Sequence, residues 1–193
     1  MVEMKSLTFD EQVAALAERG LVDSALRVRL DSARPAEAVE MSVLTVSREL
    51  VPVATAAAAV ERRGRPVVLG QIEPDDLAMF APIEAVEVPA TPAYLATDVN
   101  LGADSRNVRP QDALRGILEA GRSPLTLDEG IALVLQQPEV IAPNWGFSMA
   151  GSRRGDQRVP ALWISQGRPK LGWCWDRNPH TWLGTASCAR RLA

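Results

Sequence analysis

The groups able to do chemistry in this chain of 193 residues are gathered at one end: both cysteines, the single histidine and all five tryptophans lie between Trp145 and Ala193. Cys174, His180 and Cys188 follow one another as Cys-x5-His-x7-Cys. Two thiolates and an imidazole can hold a metal, with Asp156, Asp176 or water in a fourth position, but zinc ligands usually pair two to four residues apart. The same residues could supply nucleophilic chemistry. A cysteine attacks as its thiolate, which forms near neutral pH only beside a cation or imidazole, and Arg177 or His180 could serve Cys174 in that way. His180 is the best general acid or base, since its unperturbed pKa is near neutrality. The candidate catalytic residues are therefore His180, Cys174 and Asp156, and no metal or other cofactor is expected. The plainer alternative is an inert buried Cys174, a His180 that orders a loop and a Cys188 near the end of the chain.

Charge and aromatic surface accompany these groups. Gly151-Ser152-Arg153-Arg154-Gly155-Asp156-Gln157-Arg158 places two glycines and three arginines in eight residues. Such a loop could hold a phosphate or carboxylate through backbone N–H groups and bidentate guanidinium contacts. It is not a P-loop, because the Gly-Lys-Ser/Thr ending and the following helix are missing. A hairpin loop with its arginines paired to acids elsewhere explains it equally. Trp163, Trp173, Trp175 and Trp182 could form a platform for planar ligands, or supply the apolar bulk of a small sheet. Alternation along a strand puts Trp173 and Trp175 on one face. The candidate ligand-binding residues are Ser152, Arg153, Arg158, Arg177, Trp173 and Trp175.

Composition sets the frame. The last 49 residues carry eight basic and two acidic side chains, while the first 144 carry 13 basic and 22 acidic ones. The net charge of −3 and pI near 5.3 argue against indiscriminate nucleic-acid binding, although a basic face can still hold an anion. Nucleic acid is thus not the expected partner, and a small-molecule ligand is. Two cysteines do not make a disulfide scaffold. The stretch from Leu50 to Val60 is too short and too alanine-rich to cross a bilayer, and the first ten residues lack a signal-peptide core. A soluble cytoplasmic protein without membrane attachment is expected, with its oligomeric state open. Abundant Ala, Arg, Val and Gly with few Lys, Asn and Phe suit a GC-rich bacterial genome.

The elements that must position these groups follow from local signals. Thr8-Phe9-Asp10-Glu11 and Thr126-Leu127-Asp128-Glu129 are capping boxes, each starting a helix: the first as far as Arg19, the second as far as Pro138. A second helix is expected from Leu21 to about Ser32, another from Pro52 to Arg63, a short turn after Pro74, and one from Pro110 to Gly121. Strands are expected at Val39–Val46, Val67–Leu69, Val86–Val88 and Tyr94–Val99. The strand–helix–strand order around Pro52 suggests a small α/β layer. Beyond Trp145, strand-like runs at Phe147–Ala150, Val159–Ser165, Leu171–Asp176 and Thr181–Ser187 suggest an antiparallel meander. The expected class is α+β: N-terminal helices over residues 1–35, then one mixed α/β domain over 36–193 with a Trp-rich antiparallel sheet at 145–193.

Several runs have a familiar look. Arg122-Ser123-Pro124-Leu125-Thr126-Leu127-Asp128-Glu129-Gly130-Ile131-Ala132, Gly151-Ser152-Arg153, Arg158-Val159-Pro160-Ala161-Leu162-Trp163-Ile164, Pro169-Lys170-Leu171-Gly172-Trp173-Cys174-Trp175 and Pro179-His180-Thr181-Trp182-Leu183-Gly184 resemble a mainly actinobacterial family without an assigned function. The resemblance is dense from Pro82 to Arg190 and implies membership, with no catalytic residue to carry over. It implies a cysteine at many relatives' position 154, which with 174, 180 and 188 would make a zinc set. This chain has Arg154 there and so lacks one ligand.

The leading expectation is a small anionic or aromatic ligand bound at the C-terminal sheet, with His180 as acid or base if the ligand is transformed. The alternative is a protein- or nucleic-acid-interaction module using the same basic aromatic surface. A concave cavity beside His180 favours the first, and a flat exposed sheet favours the second. Both readings require the arginines, indoles and imidazole to converge.

Overall fold

The computed structural model describes residues 3–36 and 38–193. Its helices are α1 (Phe9–Glu18), α2 (Ser24–Ser32), α3 (Val53–Ala58), α4 (Pro110–Glu119) and α5 (Leu127–Gln136). Two sheets hold eight strands: β1 (Val43–Val46), β2 (Val68–Leu69), β3 (Ala93–Thr97), β4 (Gly146–Ser148), β5 (Arg158–Ser165), β6 (Arg168–Trp175), β7 (Leu183–Thr185) and β8 (Arg190–Leu192). The mixture of helices and strands in several sheets is an α+β fold, as the sequence implies.

Both capping boxes form. Thr8 Oγ1 accepts from the Glu11 N–H while the Glu11 carboxylate accepts from the Thr8 N–H at 2.7 Å. Thr126 and Glu129 repeat the exchange at the start of α5. Nine of the ten residues of α5 are buried, so this helix is apolar on nearly every side and runs through the interior. Its Gly130 lies against Met149 and Phe147, where a Cβ would overlap the Met149 side chain.

The first sheet is antiparallel with order β1-β3-β8, which leaves β1 as an edge. Two glutamines close that edge. Gln12 Oε1 of α1 accepts from the Leu44 N–H at 2.6 Å, and Gln136 Nε2 of α5 donates to the Leu44 carbonyl at 2.7 Å. An unpaired strand edge would otherwise template association with another chain. Val13, Leu16 and Leu30 of the N-terminal helices share one buried cluster with Leu133, Phe147, Leu162 and Leu171.

The second sheet has order β7-β4-β5-β6-β2, antiparallel within β4-β5-β6 but parallel at both outer pairs. The expected meander is therefore corrected to a mixed sheet. After β6 the chain leaves the sheet because other segments take its carbonyls: the N–H of Gln111 bonds Asp176, that of Asn107 bonds His180, and Arg106 Nε bonds Thr181. The chain then returns beside β4 rather than β6. The small α/β layer does not form either, since β1 and β2 belong to different sheets. The helix expected to reach Arg63 stops at Ala58. Arg63 and Gly64 instead take left-handed conformations, φ 52° and 72°, and turn a tight hairpin between Glu61–Arg62 and Arg65–Pro66. Val86–Val88 is a loop, not a strand. Among the described residues no helix is long and apolar enough to cross a membrane.

Candidate functional site

The register of β5 on β6 decides where the C-terminal groups go. Arg158 pairs with Trp175, Val159 with Cys174 and Pro160 with Trp173. Cross-strand partners share a face, so Arg158, Trp173 and Trp175 lie on one side, with Val159, Trp163, Lys170, Gly172 and Cys174 on the other.

On the first face Trp173 and Trp175 meet edge to face, centroids 4.7 Å apart at 70°. The Arg158 guanidinium stands 4.8 Å from the Trp173 ring centre and 6.0 Å from that of Trp175. Trp173 is held by its indole N–H, which donates to the Gln71 carbonyl at 2.9 Å. Trp175 keeps 43% of its surface in solvent. Arg158 Nε is buried and has no hydrogen-bond partner; Asp156, 3.6 Å away, is shared with Arg154. Asp156 accepts the Arg158 backbone N–H at 2.9 Å, a turn-closing contact.

On the opposite face Trp163 lies across Gly172, where a Cβ would come within 2.8 Å of the ring and of the Gly70 carbonyl. Trp163 continues to Trp182 at 5.5 Å and Trp182 to His180 at 5.2 Å, with Lys170 5.7 Å from the Trp163 ring centre. His180 thus sits across the sheet from Trp173 and Trp175, and the single convergent site does not assemble. Burial lowers its pKa below the usual value, and no carboxylate bonds it among the described residues.

The remaining candidates have structural partners. Cys174 is buried, and burial pushes its thiol up to about 12 against the opposing pull of Arg153. A raised pKa disfavours the thiolate that a nucleophile needs. Arg153 bonds the Ala150 carbonyl at 2.6 Å and pairs with Asp176 at 3.2 Å. Ser152 is fully buried, its Oγ accepting the Leu127 N–H at 2.9 Å to seat the start of α5. Arg177 is exposed and makes no ion pair among the described residues. Cys188 lies in the main buried cluster on a short ladder with Ser123, apart from Cys174, and burial raises its thiol to about 11. Among the described residues no three His, Cys, Asp or Glu side chains gather in a metal-binding group.

A polar hub that motif reading missed stands at the N-terminus of α5. The fully buried Glu129 carboxylate takes both Nε (2.5 Å) and an Nη (2.9 Å) of Arg191, the Tyr94 hydroxyl at 3.0 Å and the Thr126 N–H at 2.8 Å. Arg191 also donates to Ser123 Oγ and the Pro124 carbonyl. Burial, aided by the Glu129 charge, raises the Tyr94 pKa, so the phenol remains a donor. Beside this hub Arg48 grips Asp128 with two nitrogens. The one sequence signal was the capping box, which accounts for a single bond of Glu129. Clefts of about 180 and 510 Å³ flank the hub. Neither His180 nor the Trp173–Trp175 pair lines these two clefts.

Fold and site together define an α+β protein whose mixed sheet carries a basic aromatic patch on each face. The chain belongs to the family described as a family of unknown function, DUF5701, whose model matches residues 7–193. No curated protein and no solved structure matches it.

Proposed function

We propose that this chain is a binding protein for a ligand that joins an anionic group to a planar ring, with Arg158 taking the anion and Trp175 the ring. The observation that carries this reading is the Arg158–Trp173–Trp175 arrangement. Trp175 keeps 43% of its surface in solvent beside a guanidinium that stacks on Trp173 and makes no hydrogen bond from Nε, its counter-charge Asp156 standing 3.6 Å away. Arg177, exposed without an ion pair among the described residues, adds positive charge to the end of β6. The reading leaves out His180 and Cys174, which both lie on the opposite face of the sheet, and is therefore one of binding rather than catalysis.

Free small molecules and single-stranded nucleic acid both present this ring-plus-anion chemistry. Stacking on an exposed indole is worth about 1–3 kcal/mol per base, and a charge-assisted hydrogen bond about 1.5–3 kcal/mol. The test follows tryptophan fluorescence while adenosine monophosphate, adenosine, inorganic phosphate and a short oligodeoxynucleotide are titrated in turn. The mononucleotide should bind at least about tenfold more tightly than adenosine or phosphate alone, since it gains both terms. Arg158→Ala and Trp175→Ala should each weaken it severalfold. Binding that falls steeply with salt, and only for the oligonucleotide, would assign the face to a nucleic-acid strand. No saturable response to any probe, or the same response in the double variant, would remove the reading.

A further inference from the structure

We infer that the cleft at the start of α5 is a second binding site, one that takes a small uncharged molecule with a single hydroxyl on an apolar body. It is independent of the Arg158–Trp175 face, and no tryptophan lines it.

The cleft has a volume of about 180 Å³. A cavity of roughly 150 Å³ holds benzene, so this one accepts a body of about that size with a polar substituent. Val46, Val88 and Pro89 supply apolar lining, and Thr45, Tyr94 and Asp128 supply the polar part. Thr45 pairs with Tyr94 across β1 and β3, so both side chains stand on the face that meets the start of α5. Thr45 is 2% exposed, yet its hydroxyl has no hydrogen-bond partner. A buried hydroxyl left alone costs stability, and burying it beside a cleft is explained if a ligand completes its bonding.

Asp128 is the complementary partner. Each carboxylate oxygen receives one bond from Arg48, which neutralises the charge and leaves further acceptor capacity on both. A ligand hydroxyl can therefore donate to Asp128 while accepting from Thr45. An anion would meet Asp128, and a cation would meet the guanidinium that already holds it. The neutral class is what remains. Thr45, Val46 and Asp128 also line a smaller apolar cavity of about 30 Å³, bounded by Leu16, Leu44 and Ile131.

Phenol and toluene are the probes, differing by the hydroxyl. Phenol should give a saturable rise in melting temperature and should shift the amide resonances of Tyr94, Thr126 and Asp128. Thr45→Val removes the hydroxyl at constant shape. It should hold or raise the melting temperature of the free protein while weakening phenol at least about fivefold relative to toluene, as expected when one hydrogen bond is lost. Val88→Trp, on a surface loop, should abolish both responses. The phenol response should persist in Trp175→Ala, and the mononucleotide response in Val88→Trp, so that failure of one site is read separately from failure of the other. Phenol without a saturable effect, amide shifts confined to other regions, or an unchanged phenol-to-toluene ratio in Thr45→Val would each overturn the assignment.

Discussion

A side chain's type sets what it can do, and its surroundings set what it does; His180 shows the difference. Burial against Trp182 depresses its pKa below the reference of 6.5. Well above pH 6.5 neither the folded nor the unfolded chain holds that proton, so its titration does not affect stability there. As pH falls through 6.5 the unfolded chain binds the proton first and the folded state loses ground, until it too is protonated. Melting temperature should therefore drop on acidification below pH 6.5. Part of that drop should vanish in His180→Gln, and identical pH profiles for the two proteins would show that the imidazole is not desolvated. Cys174 shows the same point with the opposite sign: placed where solvation is lost, it is held neutral by a thiol pKa pushed up to about 12.

At the scale of elements, two glycines separate local propensity from packing. Gly116 lies in α4 with nothing near its missing Cβ, so Gly116→Ala should stabilise by about 0.5–1 kcal/mol through helix propensity alone. Gly151 lies where a Cβ would press on the carbonyls of Pro124 and Leu125 at 2.6 and 2.7 Å, backbone atoms that also set the entry of α5. Overpacking there should cost about 1–3 kcal/mol, more than the entropy gained by removing a glycine. Denaturant midpoints moving in opposite directions would bear this out, and two shifts of the same sign would not. The capping boxes were legible in the sequence because Thr8, Glu11, Thr126 and Glu129 act within one turn. The mixed sheet was not, because the pairing of β7 with β4 goes together with bonds from residues 106–111, distant in sequence, to the carbonyls of Asp176, His180 and Thr181.

Across the whole molecule, Arg191 and Glu129 tie the last strand to the central helix, joining the β1-β3-β8 sheet to α5. Their side chains are 5% and 0% exposed, so removing one partner strands the other without solvent. Arg191→Ala should cost about 3–5 kcal/mol, whereas paired replacement by apolar residues of similar volume should cost far less. Equal losses for the single and the paired change would mean that packing, not charge, governs the hub. The fold class, both helix starts and the shared face of Trp173 and Trp175 could be read from residue order, since each depends on neighbours within a few positions. Which indole stays in solvent, which arginine pairs with a buried acid 62 positions away and which side of the sheet holds the imidazole had to wait for the chain to close on itself. Those properties arise from strand partners and desolvation, and both are set by segments far apart in sequence.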